Sequence, residues 1–270
     1  MASAPARFSV LRQMFFDANC YFGRPPKIPV SPALCPTIGD LEAALDRAGI
    51  VRALVWHVAQ LEVAPAVGNR WLAEAIAGRP RFTGCWTLLP PQTGEMTPET
   101  LFPRMREANI RALRAFPGRH RYVLNGLTLG ALLEGMVERR IPLLYSFRMS
   151  SPGADAAGVW SEIHALLKDF PQLTLILCDH GSWGCDRFFR PLLDRYERVF
   201  VDTSLYFLDG GLESLVERYG DRAPVVFGSG LPERYPGGMM MALRHGELSE
   251  AARAAISGGT LARLIGEARP

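Results

Sequence analysis

Polar and ionisable side chains stand at the ends of apolar segments along this chain. They are Asn19, Tyr21, His57, Arg114, Ser146, Arg148, Asp179, His180, Asp202 and Ser204. Arginine holds carboxylate or phosphate groups in a planar fork, whereas aspartate and histidine transfer protons. If the apolar segments are neighbouring strands, these side chains form a polar cup that can bind a small anion and move a proton.

We expect the arginines to anchor an anion or polarise a carbonyl group. Asp179 is the candidate general base, and His57 or His180 is the candidate proton carrier. The predicted substrate-binding residues are Asn19, Tyr21, Arg114, Ser146, Arg148 and Asp202. Three simpler interpretations stay open: an inert ion pair between Arg114 and Asp179, a solvent-facing Arg148 and a packed His57.

Eight apolar segments predict strands at about 15–22, 50–58, 82–89, 110–116, 141–147, 173–179, 199–204 and 224–229. Helical patterns separate them. In the first, Thr37 is the predicted cap and Gly49 the predicted stop. This alternation predicts one (β/α)8 barrel domain over residues 1–270, with 1–14 as a peripheral lead-in. A doubly wound sheet is disfavoured because no glycine-rich phosphate loop follows the first strand.

Barrel active sites lie at the carboxyl ends of the strands. If the predicted strands form the barrel, the ten polar residues named above lie at this carboxyl end. Strand alternation places Asn19 and Tyr21 on the same face of the strand, and the family resemblance described below implies that this face is the barrel interior. Cys20 and Cys178 are each one residue from an inner position, so we expect both to be core thiols facing the helices.

The bulk composition narrows the class of protein. The formal net charge of +3 is not clustered into a basic face, which disfavours nucleic acid as a partner. No apolar run is long enough to span a membrane, and residues 1–14 lack the apolar core of a signal peptide. The five cysteines form no CxxC pair, as expected for reduced thiols. We expect a cytoplasmic protein.

Five segments of the chain carry a series of motifs. They are Asp17–Gly23 (DANCYFG), Phe170–Leu177 (FPQLTLIL), Val201–Ser204 (VDTS), Phe227–Pro232 (FGSGLP) and Ile256–Leu264 (ISGGTLARL). Together, and in this order, they resemble the motifs of the amidohydrolase-related proteins. The resemblance implies a (β/α)8 barrel. It also implies a hydrolase or non-oxidative decarboxylase that uses one or two divalent metals.

The ligand positions implied by the resemblance hold other residues here. The histidine positions of strands 1, 5 and 6 fall on Asn19, Tyr21, Ser146 and Asp179, and the strand-8 aspartate position falls on Gly230. A one-residue shift would put His180 at the strand-6 position. The strand-4 lysine position of some members falls on or near Arg114. Catalytic zinc needs about three protein ligands, so we expect no family-type metal and no cofactor.

Three functions follow as hypotheses. The first is a metal-independent enzyme that hydrolyses or cleaves a small carboxylate- or carbonyl-bearing substrate. The second is a non-catalytic binding protein or scaffold, which the glycine in the aspartate position favours. The third is a metalloenzyme with the ligands Asp179, His180, His57 and Asp202. The run Met239–Met241 suggests a pocket mouth or a homodimer contact.

Overall fold

The computed structural model describes residues 14–24, 34–147, 156–181 and 184–270. Eight parallel strands form one sheet in chain order. They are β1 (Phe15–Phe22), β2 (Ile50–His57), β3 (Phe82–Thr87), β4 (Ile110–Ala115), β5 (Leu143–Ser146), β6 (Leu175–Cys178), β7 (Val199–Asp202) and β8 (Val225–Val226). Ala18 N donates to Phe227 O at 2.8 Å and joins β1 to the end of β8. The fold is the predicted (β/α)8 barrel.

Helices lie between the strands and after β8. They are α1 (Ile38–Ala48), α2 (Ala59–Glu62), α3 (Pro65–Ile76), α4 (Pro98–Glu107), α5 (Pro117–His120), α6 (Gly126–Glu138), α7 (Ala156–Asp169), α8 (Asp186–Arg195), α9 (Gly211–Tyr219), α10 (Gly237–His245), α11 (Glu250–Ala254) and α12 (Thr260–Glu267). None of these helices of the described chain is long and apolar enough to cross a membrane.

Helix α1 begins and ends where the sequence predicts. The Thr37 hydroxyl accepts from Asp40 N at 3.2 Å, and the Asp40 carboxylate accepts from Thr37 N at 3.0 Å. This reciprocal capping satisfies two backbone donors that the first turn leaves open. Gly49 then adopts a φ of 73°, which is a left-handed conformation that glycine reaches without steric cost.

The core has two layers. The outer layer packs strands against helices, and Cys20 belongs to it as predicted. The inner layer fills the barrel and includes Leu261 and Leu264 of α12, which close the amino-terminal end of the barrel. Cys178 belongs to this inner layer, so the prediction that it faces the helices is wrong. The structure ends β6 at Cys178, one residue earlier than predicted, and Asp179 leaves the strand in a left-handed conformation.

Strand β1 is irregular where it reaches the cup. Its pairing with β2 shifts register between Asp17 and Cys20. Strict alternation would put Ala18 and Tyr21 on opposite faces, but both belong to the inner layer. The intervening Asn19 is buried and contacts residues of the barrel interior. The shift therefore adds a side chain to the inner face at the mouth of the barrel.

Candidate active site

The side-chain amide of Asn19 connects the polar groups of the cup. Its Oδ1 accepts from Nη2 of Arg114 at 3.0 Å. Its Nδ2 donates to Asp202 Oδ2 at 3.0 Å and lies 3.2 Å from Asp179 Oδ1 and from Ser204 Oγ. The oxygen thus faces a cation and the nitrogen faces two carboxyl groups. These opposite demands fix the orientation of the amide.

Arg114 is a completely buried cation. Its Nη1 donates to Ser146 Oγ, its Nε has no hydrogen-bond partner among the described residues, and its guanidinium carbon lies 5.3 Å from the ring centre of Trp56. In the described part of the chain, no carboxylate lies within 4.0 Å of this guanidinium. A direct ion pair between Arg114 and Asp179 is therefore wrong, because Asn19 stands between them.

Two carboxyl groups and a hydroxyl group face the other side of Asn19. Ser204 Oγ lies 3.0 Å from Asp179 Oδ1 and 3.1 Å from Asp202 Oδ1. Asp179 N donates to Asp202 Oδ1 at 3.1 Å. Asp202 is buried, whereas Asp179 is partly exposed. Burial, and then repulsion from Asp179, raises the pKa of Asp202 to about 7. The Asp202 carboxyl group can therefore hold a proton near neutral pH.

The local backbone makes room for these carboxyl groups. Asp179 follows β6 with a φ of 58°, an uncommon conformation that aspartate tolerates better than most residues. A Cβ atom at Gly228 would lie 2.3 Å from Asp202 Oδ2 and 3.2 Å from Asn19 Cβ. Glycine at this position therefore allows the buried carboxyl group to sit against the end of β8. The motif resemblance included Gly228 but gave no reason for it.

Tyr21 lies beside this group of residues. Its hydroxyl donates to Glu233 Oε1 at 2.8 Å, and its ring centre is 4.7 Å from that of Trp56. Glu233 belongs to the segment after β8 and is partly exposed. Sequence reasoning missed Glu233 because no periodic pattern marks that loop. Its place just beyond the FGSGLP motif was the available signal.

The two candidate proton carriers have other contacts. His57 Nδ1 accepts from Ala59 N at 3.0 Å, and its ring packs edge-on against Phe22. His180 is buried with Nδ1 2.8 Å from Gly181 O. Burial lowers the pKa of both imidazoles. Among the described residues, neither ring has a hydrogen bond to the groups around Asn19. Arg148 lies outside the described residues.

The residues at the family's ligand positions do not fit a metal of that kind. Gly230 has a φ of 69°, and a Cβ there would lie 2.6 Å from Arg234 Cδ, so the backbone itself favours glycine. Within the described ranges, no group of three His, Cys, Asp or Glu side chains is arranged to hold a metal ion. Of the four ligands of the hypothetical metalloenzyme, Asp179, His180, His57 and Asp202, only the two aspartates are joined by a hydrogen bond. A buried guanidinium also repels a cation.

Comparisons of structure identify similar barrels. A 2,6-dihydroxybenzoate decarboxylase from Rhizobium has a TM-score of 0.72 at 16% identity, over 94% of this chain and 99% of that chain. A 5-carboxyvanillate decarboxylase from Novosphingobium aromaticivorans, complexed with manganese, has a TM-score of 0.73 at 14% identity, over 94% of this chain and 96% of that chain. A structure assigned as a 2-pyrone-4,6-dicarboxylic acid hydrolase from Pseudomonas putida has a TM-score of 0.66 at 18% identity, over 94% of this chain and 98% of that chain.

Comparison with protein-family models gave no match, and comparison with curated proteins gave no significant match. At 14–18% identity, the three structures show a shared fold and leave the chemistry to be argued from the site. Each of the three similarities covers 94% of this chain. The chain has the (β/α)8 barrel fold of these three structures.

Proposed function

We propose that this protein is an enzyme that acts on a small carboxylate- or carbonyl-bearing molecule at the mouth of the barrel. The reaction is hydrolysis or carbon–carbon bond cleavage without the metal of the related enzymes. One observation carries the proposal. The buried cation Arg114 has no ion-pair partner among the described residues, and Asn19 connects it to the two carboxyl groups.

Burying a charge without a counter-charge is costly. Part of this cost is offset by Ser146, Asn19 and the Trp56 ring. The remaining positive potential favours a negative charge that develops nearby during a reaction. Arg114 therefore supplies a fixed positive charge in the part of the barrel where the family places its metal. Arg148, which follows β5 by two positions, is the proposed second anion-binding group.

The similar structures support carboxylates as the substrate class. Their names specify dihydroxybenzoate, carboxyvanillate and pyrone dicarboxylate. In this chain, Asp179 is the proposed proton-transferring group because it is the more exposed of the two aspartates. Tyr21, supported by Glu233, and Ser146 are the proposed substrate-orienting groups. His57 and His180 are secondary candidates for proton transfer.

A second function is a non-catalytic binding or scaffold role. It is favoured by the burial of the network, since Arg114 is 0% and Asn19 only 4% exposed. A network of this kind can simply hold β1, β4, β6 and β7 together at the barrel mouth. The two functions differ in one respect: only the enzyme converts a carboxylate to product.

The test incubates the protein with 2,6-dihydroxybenzoate, 5-carboxyvanillate or 2-pyrone-4,6-dicarboxylate and measures product by chromatography. Arg114→Lys keeps the charge but loses the planar fork. Arg111→Lys is the matched control, because Arg111 lies on the same strand but bonds Ala268 O at the opposite end of the barrel. We expect turnover in wild type and Arg111→Lys and a large loss in Arg114→Lys. Equal turnover in all three would contradict the role of Arg114, and no turnover of any carboxylate would favour the scaffold.

A further inference from the structure

We propose that Asp202, Ser204 and Asp179 form a proton relay that carries one proton from a buried carboxyl group to the partly exposed one. The relay rests on the proposed function, because Asp179 is the group that would meet the substrate. Ser204 is then a positioning and proton-conducting residue. A carboxyl group inside the barrel thereby exchanges protons with the mouth.

The first argument is a count of hydrogens around Ser204. Its Oγ is within hydrogen-bond distance of Asp179 Oδ1 at 3.0 Å and of Asp202 Oδ1 at 3.1 Å. A hydroxyl group has one hydrogen, so it can donate to only one of these oxygens. If both carboxyl groups were ionised, the other contact would join two acceptors with no hydrogen between them. A proton on Asp202 supplies the missing donor.

Asn19 does not provide that hydrogen. Because its Oδ1 accepts from Arg114, its NH2 group must face the carboxyl groups. The two hydrogens of that group face three acceptors, which belong to Asp179, Asp202 and Ser204. Asn19 and Ser204 therefore supply three hydrogens for five contacts, and none is left for the contact between Ser204 Oγ and Asp202 Oδ1 when Ser204 donates to Asp179. One extra proton on Asp202 supplies that contact.

The surroundings determine where the proton enters and leaves. Asp202 is 1% exposed, and the main chain at Gly228 lies directly against its Oδ2. Asp179 is the exposed member of the relay. The other charged or titratable groups nearby are Arg114, which acts through Asn19, and the buried Cys178 and His180. Burial raises the pKa of the Cys178 thiol and lowers that of the His180 imidazole, so both are neutral neighbours.

The transfer conserves charge and needs no further reactant. The O–H bond of Asp202 breaks as one forms on Ser204 Oγ, while the original Ser204 O–H bond breaks and one forms on Asp179 Oδ1. Asp202 becomes the carboxylate and Asp179 the acid. Asp179 then gives the proton to the substrate, or takes one in the reverse direction. The burial that raises the pKa of Asp202 to about 7 supports proton exchange at neutral pH.

The test is NMR observation of the Asp202 carboxyl carbon as a function of pH in the full-length protein. Because the pKa of Asp202 is raised to about 7, its acid and carboxylate forms are both populated near neutral pH. We expect one averaged signal in wild type, because the relay exchanges the Asp202 proton rapidly. Ser204→Ala should interrupt this path and give separate acid and carboxylate signals. Ser204→Thr, which keeps the hydroxyl group, should restore the averaged signal.

Ser229→Ala is the matched control, because Ser229 bonds a different buried carboxyl group, that of Asp17. It should leave the averaged signal of Asp202 in place. An Asp202 carboxyl group already ionised at pH 5, or an averaged signal that survives Ser204→Ala, would overturn the relay. An averaged signal in a protein that converts no carboxylate would contradict the proposed function alone. Separate acid and carboxylate signals in an active wild-type protein would contradict the relay alone.

Discussion

Asn19 separates a cation from two carboxyl groups. A carboxylate at this position would pair directly with Arg114, whereas the amide presents an acceptor to one side and donors to the other. The separation keeps Arg114 out of a direct ion pair and lets the aspartates interact with each other. A single side chain thus allows opposite charges to lie close together without forming an ion pair.

Asn19→Ala should destabilise the protein strongly. It leaves Arg114 Nη2 and Asp202 Oδ2 without their partner inside the barrel, and unsatisfied buried groups next to charges cost several kcal/mol. We expect the free energy of unfolding in urea to fall by about 3 kcal/mol. Asn125→Ala removes only the cap of α6 and should cost about 1 kcal/mol. Equal losses would show that the Asn19 contacts contribute no more than an ordinary cap.

Asp202→Asn should change how stability depends on pH. The pKa of Asp202 is about 7 in the folded protein against an ordinary 3.8, so between these values the folded state binds more protons than the unfolded chain. The free energy of unfolding of the wild type therefore falls as pH rises through this window. Asparagine does not ionise, so the variant should gain on the order of 2 kcal/mol relative to wild type between pH 5 and pH 8.

Urea unfolding at pH 5, 6, 7 and 8 measures this difference. Asp209→Asn is the control, since Asp209 is exposed and should show no comparable trend. A difference between wild type and Asp202→Asn that stays constant with pH would mean that Asp202 is ionised over the whole range.

At the scale of elements, the sequence predicted the barrel well and the cup only in part. Hydrophobic patterns placed all eight strands, and capping residues placed α1, because these features are local. The register shift in β1 and the inward side chain of Cys178 were missed, because both depend on pairing between strands. Glu233 was missed because a loop has no periodicity.

Gly228→Ala should disturb the cup from the end of β8. Its added methyl group would meet Asp202 Oδ2 at 2.3 Å, and overpacking of this kind costs about 1–3 kcal/mol. Gly130→Ala is the control, because the same atom in α6 meets nothing within 4 Å and should stabilise the helix by about 0.5–1 kcal/mol. Thermal unfolding of both variants gives the comparison. An unchanged unfolding temperature in Gly228→Ala would show that the Asp202 carboxyl group moves aside freely.

At the scale of the whole molecule, the two ends of the barrel have different roles. Helix α12 closes the amino-terminal end with apolar side chains. Arg111 Nη1 and Arg106 Nε donate to the carbonyl groups of Ala268 and Pro270 at 3.0 Å and 2.8 Å. The carboxyl end holds the buried polar network. The apolar closure and the buried polar network therefore lie at opposite ends of the barrel axis.

Leu264→Ala tests this separation. Leu264 is fully buried in α12, and removing such a side chain costs about 2–5 kcal/mol. We expect a lower free energy of unfolding in urea and, below the unfolding transition, unchanged affinity for a carboxylate that binds the wild type. A matched loss of affinity in the folded variant would show that the two ends of the barrel are coupled.

We propose Arg114, rather than a metal, as the source of the positive charge in a carboxylate site. Calorimetry separates these two sources when 2,6-dihydroxybenzoate, 5-carboxyvanillate and 2-pyrone-4,6-dicarboxylate are titrated into the protein as purified, after chelator dialysis and after manganese is restored. We expect at least one carboxylate to bind with the same affinity in all three states and at least tenfold more weakly to Arg114→Lys. Binding that disappears with the chelator and returns with manganese would show that a metal supplies the charge.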